Sequence, residues 1–234
     1  MTITSPHNDQ LKEIRKLAGR KWRDKLREFV AEGEDLLDAA AAAGWQPLTR
    51  LVAEGSGLEG DEVAPHLLAQ VSQLGSGTRA LAVYAQRWAP APTGPLCLAL
   101  WGVNDPGNVG TALRGALAFG AASVALGPGT ADPYGPKAVR ASMGALFEVP
   151  LARVRDPTEL PGTKIALVAH GGDPLAARDD EVTLVVGAER EGLPDEVVAA
   201  CDEVATIPVA AESLNAAMAA TVALYECNRR MAAP

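Results

Sequence analysis

Aromatic residues are scarce in this chain. Phe, Trp and Tyr make up 4% of its 234 residues, so Ala, Val and Leu must do most of the packing. A core of small aliphatic side chains suits helices laid on a parallel sheet. Cysteine is nearly absent: Cys97, Cys201 and Cys227 are odd in number and far apart, with no C-x-x-C. That excludes the paired-cysteine redox and zinc motifs, and the three read as small buried hydrophobes. His7, His66 and His170 are equally scattered, so no metal site is expected. No apolar run approaches the ~18–20 residues of a transmembrane helix. The opening residues, Met1 to Pro6, lack the charged-then-apolar pattern of a secretory leader. The expectation is a soluble, cytoplasmic protein with no membrane partner.

What is present is a chain that is 48% hydrophobic, enough for a sizeable core, with a net charge of −8. The sign argues mildly against nucleic acid as a partner, but the distribution does not. Residues 1–30 hold eight cations (Lys12, Arg15, Lys16, Arg20, Lys21, Arg23, Lys25, Arg27) against four acids (Asp9, Glu13, Asp24, Glu28), leaving the remainder strongly acidic. A basic arm on an acidic body is either a phosphate-binding footprint or an ordinary solvated helix face.

Along the chain, Ser5 to Ala18 reads as a helix capped by Ser5 or Asn8, with Leu11, Ile14 and Leu17 on one face. A basic segment, Arg20 to Arg27, follows without an assigned element. Strands are expected at 28–32, 48–52 and 80–85, with helices after Gly33 and from Pro65 to Leu74. Three prolines and a glycine between Arg87 and Pro95 then make a stiff, extended connection. The chain therefore divides into residues 1–88, a linker 89–95, and residues 96–234. The second part alternates six apolar strands with helices. Among them are a helix over Lys137–Leu146, a strand over Phe147–Leu151, and a last strand and helix over Val204–Val209 and Ser213–Met231. That is a parallel sheet covered on both faces, whose ligands sit beyond the carboxyl ends of the strands.

Three strand-end loops carry the chemistry. The first, Asn104 to Arg114, has glycines and a helix N-terminus suited to a nearby ligand. Its G-x-x-G spacing and the absence of an acid after the next strand disfavour dinucleotide binding. Arg114 lies on a helix that must be largely buried, so it needs a carboxylate or a cleft. Glu189, in the second loop (Gly187 to Pro194), is the nearest candidate partner. In the third, Ser213 or Asn215 caps the last helix, and one cap does not require both.

Asn-Asp-Pro-Gly-Asn-Val-Gly-Thr-x-x-Arg, Gly-x-Glu-x-x-Gly-Leu and Ile-Pro-Val…Ser-Leu-Asn, in this order, resemble the three motifs of the SpoU (TrmH-like) class of SPOUT RNA 2′-O-ribose methyltransferases. Arg140 to Ala145 resembles the family's intermediate segment. Ser5-Pro6-His7-Asn8…Lys12 and Phe29 to Gly33 resemble its L30e-like substrate-binding domain. The resemblance implies an α/β fold with a SPOUT-type parallel sheet, a deep trefoil knot and a small N-terminal L30e-like α/β domain. It implies S-adenosylmethionine as cofactor and a homodimer with the site at the interface. By position it assigns Gly187, Ile207, Leu214, Val186, Gly192 and Val209 to the cofactor. Asn108, Arg114, Glu189, Ser213 and Asn215 fall to catalysis, Glu189 positioning Arg114 or Asn108, and Lys12, Arg15, Arg20, Lys21, Arg23 and Arg140 to RNA. Ribosomal RNA of the 23S type is the favoured substrate. The alternatives are a transfer RNA methyltransferase and a non-catalytic RNA-binding protein of ribosome assembly. The loop from Ile207 to Ser213 is about two residues shorter than the family's usual one.

Overall fold

The computed structural model of the chain describes residues 2–73, 77–210 and 213–231. The first half builds a four-stranded sheet flanked by helices: α1 (Asp9–Leu17), α2 (Arg20–Leu26), β1 (Glu28–Glu32), α3 (Glu34–Ala42), β2 (Thr49–Ala53), β3 (Asp61–Val63), α4 (Pro65–Val71) and β4 (Ala80–Ala85). The strand order is β1-β4-β2-β3, with only the β2–β3 pair parallel. Asn8 is the cap of α1, its side chain accepting from the amides of Gln10 and Leu11 at 2.9 and 3.3 Å. Leu11, Ile14 and Leu17 are buried on one face, as their spacing predicts. The basic segment is itself a helix, α2, opened by Gly19 and closed by Arg27 in the left-handed region at φ 61°. α4 ends at Val71, before the expected Leu74, which lies outside the described residues.

The second half comprises β5 (Leu96–Leu100), α5 (Pro106–Ala118), β6 (Ser123–Leu126), α6 (Pro136–Ala141), β7 (Leu151–Arg153), β8 (Thr163–Leu167), β9 (Asp173–Pro174), β10 (Val182–Val186), α7 (Asp195–Ala199), β11 (Glu203–Thr206) and α8 (Ala216–Met231). Its seven strands pair in the order β7-β6-β5-β10-β8-β11-β9, every pair parallel. Every residue of β5 and β10 is buried, as continuous apolar runs require of central strands. The order runs outward from β5 through β6 in one direction and through β10 in the other. The β5–β10 edge is thus the switch point where a crevice opens. The expected helix 137–146 and strand 147–151 are shifted. α6 stops at Ala141 because Met143 and Gly144 adopt positive φ, and Ala145–Phe147 form a short 3-10 turn. The last strand stops at Thr206, short of Val209.

The two halves share one core. Phe29, Trp45 and Tyr84 from the first pack with Tyr134 and Phe147 from the second, with ring centroids 4.7–6.1 Å apart across the junction. The Trp45 indole N–H donates to the Phe147 carbonyl at 2.8 Å. The chain between β4 and β5 is pinned along the second sheet, Ala89 N–H to the Leu151 carbonyl and Thr93 N–H to Ser123 Oγ. Cys97 and Cys227 are buried and Cys201 half-buried, and burial pushes all three thiols up, the last two to about 11. Among the described residues no helix is long and apolar enough to cross a membrane.

Candidate active site

The segments that leave β8, β10 and β11 at their carboxyl ends line one cleft of about 690 Å³, and the loop after β5 reaches it through the hydrogen bond of Asn108 to Glu189. The first loop turns directly into α5. Asp105 caps that helix, its Oδ1 accepting from the Asn108 amide at 3.0 Å, and Pro106 occupies the first turn, where no amide partner is needed. Lys137 donates to Asp105 at 2.7 Å and holds its carboxyl below the usual carboxylate range. The cap is therefore ionised at neutral pH. Asn108 sits in the first turn of α5, half-buried.

The second loop is closed on itself. Ala188 and Gly192 exchange backbone hydrogen bonds at 3.0 Å in each direction, leaving Glu189, Arg190 and Glu191 at the tip. Gly192 has φ 70°, and a Cβ on Gly187 would collide with the backbone of Gly192 and Leu193. Both glycines are therefore required by the turn itself. The third loop delivers Asn215, whose Oδ1 accepts from the amides of Ala217 and Met218 at 3.0 and 3.3 Å.

Side chains link the three loops. Asn108 Nδ2 donates to Glu189 Oε1, and Asn215 Nδ2 donates to Asn108 Oδ1 at 3.0 Å. Asn215 thus caps α8 and joins the network with the other end of one amide. Of the two polar residues that exceed what one cap requires, Asn215 is the cap and Ser213 is left exposed on the cleft wall. All six positions assigned to the cofactor, Val186, Gly187, Gly192, Ile207, Val209 and Leu214, line this cleft together with Glu189 and Ser213. Ala211 and Glu212 of the shortened loop lie outside the described residues. His170, in the loop after β8, also lines the cleft. Sequence reading passed over it because a lone histidine after a strand carries no motif.

Two expectations are corrected. Of the two partners expected for Glu189, it engages Asn108 and not Arg114, which lies exposed on α5 with no ion pair among the described residues. Its helix is buried through other positions, Val109, Ala112, Leu113 and Ala116 among them. Arg23, expected to meet RNA, is 5% exposed. Its guanidinium binds Asp132 at 2.8 Å and the carbonyls of Leu17 and Ala18, fastening α2 to the second sheet's loops. The other expected RNA contacts remain at the surface or half-buried. Lys12 pairs with Asp9, Arg15 donates to the Pro6 carbonyl, and Arg20 faces Asp24. Lys21 and Arg140 are exposed.

Comparison with known proteins is consistent with this geometry. The model of the SpoU rRNA Methylase family matches residues 95–225, and that of the MRM3-like substrate binding domain matches residues 8–90. The 23S rRNA (guanosine(2553)-2′-O)-methyltransferase RlmP of Bacillus subtilis is 29% identical over 95% of this chain and 97% of that protein. The 23S rRNA (uridine(2479)-2′-O)-methyltransferase of Streptomyces viridochromogenes is 39% identical over 54% of this chain, a match that spans 50% of that relative. A crystal structure of AdoMet-bound rRNA methyltransferase from Sinorhizobium meliloti superposes with a TM-score of 0.88 at 31% identity. It covers 100% of this chain and 99% of that one.

Proposed function

The chain belongs to the SpoU rRNA methylase family, and on that premise we propose that it transfers a methyl group from S-adenosylmethionine to a ribose 2′-hydroxyl of ribosomal RNA, 23S-type RNA being favoured. The observation that carries the proposal is the Glu189–Asn108–Asn215 network at a cleft lined by all six positions assigned to the cofactor.

The cleft fits the cofactor in size and charge. Its volume falls within the roughly 300–1,000 Å³ of small-molecule sites. Its lining holds three carboxylates, Glu189, Glu191 and Asp195, against Arg190 and His170, an acidic balance suited to a sulfonium cation. Bound there, the cofactor supplies an electrophilic methyl carbon. Val186, Ile207, Val209 and Leu214 would hold it with apolar walls and backbone edges. Asn108 and Asn215, held in one geometry by their mutual bond and by Glu189, set the approach of the ribose.

A ribose hydroxyl is a poor nucleophile at neutral pH, so charge developing on its oxygen must be stabilised. Arg114 suits that role and the binding of the target phosphate. As a literal base it does not, because a guanidinium has no lone pair free to take a proton. Within one chain Arg114 stands clear of Glu189, so we assign it to a site completed across a homodimer. Leu117, one turn along α5, and Met218, Val222 and Tyr225 of α8 are large apolar residues left 37–56% exposed, which suits a second subunit. The expected knot would form in the chain after β11, where α8 packs against both α5 and the central strands β5 and β10. The protein would act in the cytoplasm. In the test, Arg114→Ala retains S-adenosylmethionine binding by calorimetry and loses turnover. Loss of both together would contradict the role given to Arg114.

A further inference from the structure

Trp22 is the tryptophan without a packing role. Trp45 lies in the interdomain aromatic cluster, and Trp88 donates to Gln86 with Arg153 stacked on its ring. Trp101 is 6% exposed, in the core beneath the sheet. Trp22 belongs to none of the apolar clusters, and its indole N–H makes no hydrogen bond among the described residues. It is only half-buried, on α2, and its ring is flanked by the ammonium groups of Lys16 at 5.2 Å and Lys25 at 5.1 Å.

The cations around it are uncommitted. Among the described residues Lys16, Lys21, Lys25 and Arg27 make no ion pair within 4.0 Å, although the chain as a whole carries net charge −8. A half-buried indole between cations without ion pairs is the chemical pattern of a base-stacking platform: every base has a face to stack, and displaced ammonium groups can take the flanking phosphates. The platform is also rigidly aimed. Arg23, the next residue, anchors α2 to Asp132. Arg20, one turn away, shares a groove with Asn104 and Pro106, which lead into the helix carrying Asn108.

Building on the RNA-substrate reading, we propose that Trp22, with Lys16 and Lys25, is a stacking platform for an unpaired base of single-stranded RNA. Stacking does not release counterions, whereas each phosphate contact does. The test is fluorescence anisotropy of labelled decauridylate against the full chain at several salt concentrations. The expected result is that Trp22→Ala weakens binding by about 5- to 100-fold, with the slope of log affinity on log salt unchanged. Trp22→Phe keeps most of the affinity. The Lys16→Ala/Lys25→Ala double variant lowers the salt slope by about 1.4. Circular dichroism of each variant checks the fold independently. If Trp22→Ala binds decauridylate as the wild type does, the platform is overturned and the RNA-substrate reading stands. If Trp22→Ala and Trp22→Phe lose affinity equally, stacking is likewise overturned. If the wild type binds neither decauridylate nor ribosomal RNA, both readings are overturned.

Discussion

Asn108 ties its own loop to the other two through one side-chain amide, donating to Glu189 and accepting from Asn215. Substitution by Asp replaces the donor with a second carboxylate facing Glu189. We expect Asn108→Asp to lower turnover by about 100-fold or more, the scale of losing a preorganised polar contact in a reacting site. Its cofactor affinity, measured by calorimetry, should stay within a few-fold, because Asn108 does not line the cleft. Arg23 shows why charge alone misled. The sequence places it among seven other cations, but only the fold reveals the buried Asp132 that claims it. Removing one partner of a buried pair leaves the other uncompensated. Arg23→Ala should therefore cost about 3–5 kcal/mol in urea unfolding, far more than an RNA-contact residue would. Asp180 gives a pH test. Hydrogen bonding to Arg178 lowers its carboxyl to about 2 in the folded protein. A depressed folded-state value means that the stabilisation is present above the ordinary carboxylate range and is lost as pH falls toward 2. Arg178→Met should thus be less stable than wild type at pH 7, by on the order of 1 kcal/mol for a partly exposed pair. That difference should shrink between pH 4 and 2. A difference that grows with acid would contradict the assignment.

At the scale of elements, α5 is built to be approached from two sides. A Cβ on Gly110 would meet Ala141 Cβ at 2.7 Å and Ser142 N at 2.9 Å, and one on Gly115 would meet Thr221 Oγ1 at 2.7 Å. The first obstacle includes backbone of the α6 segment, which cannot yield as a side-chain tip can. Gly110→Ala gains up to about 1 kcal/mol of helix propensity. Overpacking costs typically 1–3 kcal/mol, so we expect net destabilisation in urea titration. The parallel second sheet, its central strands and the three loops were legible in the sequence, because buried strands are unbroken apolar runs and strand-end loops hold the glycines. The two-residue β9 and three-residue β3 were not, being too short to show alternation. Nor was the break after Ala141, since Met143 at positive φ carries no propensity signal. α2 was missed because its apolar contacts are few and its charges dominate. The six cleft positions were found by family motif rather than periodicity. The Asn108–Glu189 bond was legible only as one of two options, Arg114 or Asn108, because strand-end proximity cannot say which of two neighbours a carboxylate selects.

At the scale of the molecule, the two sheets share an aromatic core, so the basic α1–α2 face is held in fixed relation to the cleft. The exposed apolar stripe of Met218, Val222 and Tyr225 on α8 is where a second subunit is expected. Met218→Glu/Val222→Glu should convert a dimer to a monomer in analytical ultracentrifugation and abolish turnover, while leaving the single-chain fold intact by circular dichroism. The central claim concerns the atom that is methylated. A 2′-O-methyl group blocks attack of that oxygen on the adjacent phosphate, so the linkage survives alkali. The direct measurement is to incubate the purified protein with methyl-labelled S-adenosylmethionine and unmodified 23S ribosomal RNA, then hydrolyse the RNA in alkali. The expected result is label in an alkali-resistant dinucleotide. Label confined to mononucleotides, which signals base methylation, or no incorporation into RNA at all, would contradict the claim.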